Sequence, residues 1–330
     1  MAVRTADLFS GAGGSSAGAF AAGAELVFGV DLWQLATATY SDNFPAARAI
    51  SARLTENDPL PTGRRAGPID LILASPECTH HTCARGARAR SETSRETALY
   101  VLRFVRRFRP RWLVIENVVQ MRNWHRFGEL LDALRAEFGR HHVSVHTLDA
   151  ADFGVPQTRR RLFVVCDRLR PPPEPARRPV AAPADVAGIL DAPGTWPARP
   201  LFTPRRAVAT LERARRGIAA LGEGVPFLVV YYGSDGAGGW QRLDRPLRTL
   251  TTLDRFGLVE WHSGEPTLRM LQVPELRRAM GFPESFRLDR GTRRERIKLL
   301  GNAVCPPVMQ AIVASLVADQ SSISPSVAAA

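Results

Sequence analysis

The sequence predicts an α/β fold: a doubly wound, mostly parallel sheet joined to a second, smaller, irregular domain. Three observations predict it. Strand-like and helix-like runs alternate from residue 3 to residue 168, the rhythm of βαβ units. A glycine-rich turn, Ser10-Gly11-Ala12-Gly13-Gly14, joins the first strand to the first helix. The rhythm stops at residue 169, where Arg170-Pro171-Pro172-Pro173-Glu174-Pro175 reads as a stiff linker.

Each element has its own signal. Residues 3–9 read as a strand, and a small-residue helix runs from Ser15 to about Ala22 before Gly23 closes it. Residues 25–30 form a second strand that ends at Asp31. The glycines let backbone approach a ligand closely, and an acid at the end of the next strand can accept from ribose hydroxyls. A helix follows over residues 33–43. Residues 55–68 hold three prolines and two glycines and read as a loop. Asp70 to Ala74 is a short apolar run, a buried strand that Ser75-Pro76 ends. Residues 79–95 are polar and carry Arg85, Arg88, Arg90 and Arg95, the pattern of a mobile basic loop. A helix over residues 96–107 leads to the strand 111–115, which delivers Glu116-Asn117 to its carboxyl end. A helix near 124–138, a strand near 143–148 and a strand at 162–166 complete the rhythm. Beyond the linker, residues 176–290 hold Gly/Pro turns and short strand-like runs such as Phe227 to Tyr232. Residues 293–320 are apolar and helical, broken at Gly301-Asn302 and Pro306-Pro307.

Composition sets the bounds. The 330 residues are 45% hydrophobic and 23% charged, ordinary for a soluble globular protein. No uninterrupted run of about 18 apolar residues is present, so no membrane span is expected, and the N-terminus lacks the apolar stretch of a signal peptide. Four cysteines, at 78, 83, 166 and 305, do not make a disulfide framework, so the cytoplasm is the expected compartment. The net charge of +12 suits a polyanionic partner. Lys298 is the single lysine among 44 basic residues, so part of that charge reflects compositional bias.

Three features should project from the sheet edge that carries the glycine turn: Cys78 just past a strand, Glu116-Asn117 at a strand end, and Gln157-Thr158-Arg159-Arg160-Arg161 before a strand. A thiolate, a carboxyl group and guanidinium groups beside a nucleoside cofactor suit one reaction. The thiolate adds to carbon 6 of a cytosine, the carboxyl group meets ring N3, an arginine fixes O2, and carbon 5 becomes nucleophilic toward a methyl sulfonium. Cys78, His80, His81 and Cys83 could suggest zinc, but the spacing is not that of a standard finger, and a ligating Cys78 would not be a free nucleophile; no metal is expected. Trp240 and Tyr231-Tyr232 either stack on bases or fill a small core.

With those residues in view, the chain resembles the bacterial-type, S-adenosylmethionine-dependent DNA (cytosine-5)-methyltransferases, in motif order and over nearly its whole length. Asp7-Leu8-Phe9-Ser10-Gly11-Ala12-Gly13-Gly14 resembles the cofactor signature, Asp31 the ribose-binding acid, Ser75-Pro76-Glu77-Cys78 the nucleophile motif, and Glu116-Asn117-Val118 the catalytic Glu-Asn-Val. Gln157-x-Arg159-x-Arg161 resembles the family's Gln-x-Arg-x-Arg. Arg269 to Pro283 resembles the late motif that braces the recognition domain, and Gly301-Asn302-Ala303-Val304 the last motif, which returns to the cofactor pocket.

The resemblance implies a sheet of the methyltransferase type over 1–168, a target-recognition domain with its linker over 169–291, a returning segment over 292–321 and a disordered tail over 322–330. It implies a catalytic set of Cys78, Glu116, Asn117, Arg159 and Arg161. S-adenosyl-L-methionine is expected against Phe9, Ser10, Gly11, Gly13, Gly14, Asp31, Leu32, Pro76, Asn302, Ala303 and Val304. Double-stranded DNA is expected against Thr82, Arg85, Arg88, Arg90, Arg95 and Gln157. A monomer at the nucleoid is expected, with a cognate restriction endonuclease left open as a partner. Two rivals stand beside this reading: an RNA (tRNA) cytosine methyltransferase, and a catalytically silent nucleic-acid-binding homologue. Three departures mark the chain. Glu77 stands where the family usually has proline, Arg53 where an acid commonly meets the adenine amine, and Leu32 where an aromatic often flanks the adenine. Glu77 either lies close to Cys78, where its charge would raise the thiol pKa, or turns inward and pairs with Arg159 or Arg161; the second is favoured, because successive side chains on an extended segment point to opposite faces.

Overall fold

The computed structural model describes residues 2–57, 67–77, 92–177, 184–232 and 238–318. Its main sheet is built from β1 (Arg4–Leu8), β2 (Glu25–Asp31), β3 (Arg48–Ser51), β4 (Leu71–Ala74), β5 (Trp112–Val118), β6 (Val143–Asp149) and β7 (Arg160–Asp167), in the order β3-β2-β1-β4-β5-β7-β6. Helices α1 (Gly14–Ala21), α2 (Gln34–Asn43), α3 (Glu92–Phe108) and α4 (Phe127–Phe138) connect them. Strands β1 to β5 are parallel. The order reverses beside β1, the switch point at which open α/β sheets bind ligands.

The strands read as continuous apolar runs because both faces are covered. Leu71, Leu73, Trp112, Val114, Phe163 and Val165 enter one core; Ile72, Ala74, Leu113, Ile115, Leu162 and Val164 enter the other. That alternation is the two-residue period of a strand. β7 runs antiparallel to both β5 and β6. Its first residues therefore lie beside the last residues of β5, with Arg161 opposite Val118. A run that precedes a strand thus reaches the same edge as residues that follow one.

Two elements differ from expectation. β3 lies where no strand was expected; four residues are too few to show a period. α3 starts at Glu92, four residues before the expected helix start, so Arg95 belongs to a helix and not to the basic loop. There it pairs with Glu92 at 3.5 Å.

Among its described residues the second region has no βαβ unit, as its pattern implied. It contains a small antiparallel sheet, β10-β9-β11-β12-β8, made of β8 (Arg199–Pro200), β9 (Phe227–Val230), β10 (Trp240–Arg242), β11 (Phe256–His262) and β12 (Glu265–Met270). α5 (Val208–Leu221) covers it, and Leu201, Ala214, Phe227, Val229, Val259 and Leu268 form its core. Trp240 sits edge-on to Phe227. Tyr232 sits edge-on to Phe256, and its hydroxyl donates to Thr249 O at 2.9 Å. These aromatics fill local cores. α6 (Val273–Ala279) is tied to β12 by Arg269, whose guanidinium meets the buried Glu275 carboxylate at 2.7 and 2.8 Å.

The chain then returns to the main sheet through α7 (Arg293–Asn302) and α8 (Pro306–Ala318). By length and composition Arg293–Ala318 could cross a membrane, yet in the fold it is two helices, and α8 is core packing for α1. That contact is tight: a Cβ on Gly18 would lie 2.4 Å from Pro306 O. Alanine is intrinsically the better helix former by about 1 kcal/mol. Gly18→Ala is nevertheless expected to destabilise the protein by about 1–3 kcal/mol, the typical cost of overpacking. Urea unfolding checks it, and a stabilised variant would place α8 elsewhere.

Candidate active site

The edge formed by the ends of β1, β2, β4 and β5 and the start of β7 holds a cavity of about 320 Å³. The glycine turn makes one wall. Phe9 there has φ 57, a conformation uncommon outside glycine. It turns the chain so that Ser10 N donates to Val30 O at 3.0 Å and Gly13 N to Ser10 O at 2.9 Å. Gly13 has φ 99, and a Cβ there would lie 2.5 Å from the Phe44 ring. It shapes the turn and, unlike Phe9, Ser10, Gly11 and Gly14, does not line the cavity.

Asp31 closes that wall. Its Oδ2 accepts from Gly11 N at 2.9 Å and its Oδ1 from Trp33 N at 2.8 Å. Burial pushes its carboxyl above the ordinary range, opposed by these amides, with the charge of Glu77 adding to the rise. Below the turn, Asp7 accepts from Ser16 Oγ at 2.7 Å, and burial pushes its carboxyl up to about 7.

The second wall carries a buried acid and two arginines. Glu116 lies in β5, almost wholly buried, with its Oε1 3.3 Å from Arg161 Nε. Burial raises its pKa, and the Arg161 and Arg159 charges pull it back; the net direction is upward. Asn117 faces away from the cavity. Its amide donates to Pro76 O at 3.0 Å and its oxygen accepts from Val118 N at 2.9 Å, so it fixes the turn that leads to residue 78. Pro76 lines the cavity.

Arg159 is buried. Its guanidinium donates to Leu250 O and Gly301 O at 2.8 Å and to Ala303 O at 3.0 Å. Gln157, expected against DNA, is fully buried instead. It donates to Ala279 O at 3.0 Å and accepts from Leu250 N at 2.9 Å. The reason is the antiparallel entry into β7, which turns the run before it toward α6 and the 247–251 segment.

Among the described residues, Glu77 pairs with no arginine. Arg159 is committed to three carbonyls, and Arg161 to Glu116 and to Arg160 O at 2.9 Å. Glu77 is exposed on the cavity rim and accepts from Ser94 Oγ on α3 at 2.6 Å. It also lines a second cavity of about 270 Å³, with Phe9, Asp31, Leu32, Arg53 and Tyr100.

Asn302, Ala303 and Val304 line the main cavity as expected, together with four residues that no quoted motif contains: Ser15, Trp33, Lys298 and Leu299. Lys298 Nζ lies 4.5 Å from the Trp33 ring centroid. The signal for it was present, since the chain's one lysine stands one helical turn before Asn302. Cys166 and Cys305 are buried thiols, and burial pushes Cys305 up to about 11. Cys78, Thr82, Arg85, Arg88 and Arg90 lie outside the described residues, as do His80, His81 and Cys83.

Residues 3–179 and 239–318 match the model of a family described as C-5 cytosine-specific DNA methylase. The Type II methyltransferase M.AquIA of Picosynechococcus sp. is 32% identical over 231 residues, covering 65% of this chain and 91% of that protein. The Type II methyltransferase M.XorII of Xanthomonas oryzae is 26% identical over 354 residues, covering 93% of this chain and 82% of that protein. The structure of the Entamoeba histolytica methyltransferase EhMeth superposes with a TM-score of 0.68 at 16% identity, covering 97% of this chain and 99% of that one, a likeness of fold.

Proposed function

Because the chain belongs to the C-5 cytosine-specific DNA methylase family, we propose that it transfers a methyl group from S-adenosylmethionine to carbon 5 of cytosine in double-stranded DNA, through a covalent adduct with Cys78. The observation that carries this reading is the cavity wall where buried Glu116 meets Arg161, across from the glycine turn and Asp31. The residues suit the cofactor. Asp31 presents carboxylate oxygens to a sugar diol, Phe9 and Leu32 offer apolar flanks, and Ser10 Oγ is buried with no partner among the described residues. Bound there, S-adenosylmethionine would supply the electrophilic methyl group.

The chain's own residues do the rest. The target cytosine leaves the helix stack, since its carbon 6 is closed off inside a duplex. The Cys78 thiolate adds to carbon 6. Glu116, which burial keeps toward its protonated form, donates to N3 as charge develops there. Arg161 is the guanidinium for O2, because Arg159 is spent on carbonyls. Carbon 5 then takes the methyl group and gives up its proton to water as the thiolate leaves, and N3 returns its proton to the Glu116 carboxylate, which restores the ring. Asn117 positions the Pro76 turn that carries Cys78.

We assign residues 1–168 and 292–321 to catalysis and 169–291 to target recognition. The stretch that the family model leaves unmatched, 180–238, falls inside the latter, as expected of a part that differs with the sequence read. Thr82, Arg85, Arg88 and Arg90 would close over the extruded base and its phosphates, making affinity fall with salt.

Labelled cofactor offered with duplex DNA or tRNA, followed by bisulfite sequencing, tests the reading. Label is expected in DNA alone, at carbon 5 of cytosine. Cys78→Ser is expected to abolish transfer, and a 5-fluorocytosine duplex to trap the parent protein covalently. Transfer to tRNA alone would move the substrate to RNA. Cofactor and DNA binding without transfer would make the chain a silent binder. Undiminished turnover by Cys78→Ser would remove the covalent step.

A further inference from the structure

The residue that departs most from the family's pattern stands at the junction of the two cavities. Phe9, Asp31, Leu32 and Glu77 line both of them. They form a neck with an aromatic ring, an aliphatic side chain and two carboxylates. The main cavity continues from the neck toward Glu116 and the returning 298–304 segment. The second continues toward Ala52, Leu54, Thr97 and Tyr100. A nucleoside carrying an amino-acid arm would thread the neck with its sugar there, its base in the second cavity and its arm in the main one.

We propose that Glu77 is a second carboxylate acceptor for the cofactor's ribose diol, working with Asp31 across this neck. This inference rests on S-adenosylmethionine being the cofactor. Asp31 already uses one acceptor site of each oxygen on a backbone N–H, and a second carboxylate adds acceptors for the two hydroxyls. Glu77 has Oε2 held by Ser94 Oγ at 2.6 Å, which fixes the carboxylate's orientation, while Oε1 has no donor among the described residues. The two carboxylates line the same neck, and the charge of Glu77 contributes to the raised pKa of Asp31. A diol supplies the donors that such a pair lacks. Arg53 stands at the second cavity, where the family commonly has an acid, and Glu77 brings a negative group to the same ligand from the end of β4.

The test is calorimetric binding of S-adenosylhomocysteine and of its 2′-deoxy and 3′-deoxy analogues to the parent protein, to Glu77→Gln and to Asp31→Asn. Glu77 is exposed, so Glu77→Gln is expected to melt with the parent. It should bind S-adenosylhomocysteine about tenfold more weakly, the scale of a hydrogen bond to a charged group. The losses from Glu77→Gln and from removing one of the two hydroxyls should not add, because they delete the same contact. Asp31→Asn should show the same non-additivity with the other hydroxyl. Unchanged affinity in Glu77→Gln, or a loss that adds fully with both deoxy analogues, would overturn the proposal while leaving the cofactor reading intact. Failure of the parent to bind S-adenosylhomocysteine at all would overturn both.

Discussion

Glu116→Gln is expected to lower kcat by about 10²- to 10⁴-fold, the range for losing a general acid, with little change in cofactor affinity. The glutamine keeps the shape and can still hydrogen-bond, but it cannot deliver a proton. The pH profile separates this from a packing defect. Burial raises the Glu116 pKa, and Arg161 and Arg159 oppose that rise. The protonated, active form is therefore lost as pH climbs through the raised value, and the parent's kcat should fall on the alkaline side. Glu116→Gln should have no such limb. Arg161→Ala removes a positive charge that favours the carboxylate, so the limb should move to higher pH. A glutamine variant that keeps most of its rate, or keeps the alkaline fall, would take the acid role away from Glu116.

Arg159→Ala is expected to destabilise the protein by about 3–5 kcal/mol, as when one partner of a buried charged contact is removed. Three carbonyls, of Leu250, Gly301 and Ala303, would lose their donor inside the protein, and each buried group left unsatisfied costs about 1–3 kcal/mol. Those carbonyls belong to the second region, to the last turn of α7 and to the segment between α7 and α8, so the loss would loosen the parts that close the cavity. Arg161→Ala is expected to stay folded and lose activity, because its contacts are Glu116 and one adjacent carbonyl. Urea unfolding and turnover of the two variants check the contrast. An Arg159→Ala protein as stable as the parent, or an Arg161→Ala protein that fails to fold, would reverse the roles.

The two arginines show where sequence reasoning stops. They sit two residues apart at the start of one strand and carry the same group, so nothing local separates them. The fold does: β7 runs antiparallel to β5, which sets Arg161 beside Glu116 and buries Arg159 against the returning chain. Gln157 lost its expected DNA contact for the same reason, and Glu77 turned to Ser94 because both candidate arginines were taken.

By itself the sequence determined the alternating elements of the main sheet, the glycine turn with Asp31, the placing of Glu116 at a strand end and the break between the last two helices. Each is a local property: a run of apolar residues covered on both faces, a φ that glycine permits, a proline pair that a helix admits only in its first turn. Only the tertiary structure decided the order of strands, the direction of β7, the four-residue β3, and which side chain each buried polar group meets. Those are choices between distant partners. A buried guanidinium or amide goes wherever carbonyls are left unpaired, and that is set by how the segment at 247–251 and the returning helices meet the sheet.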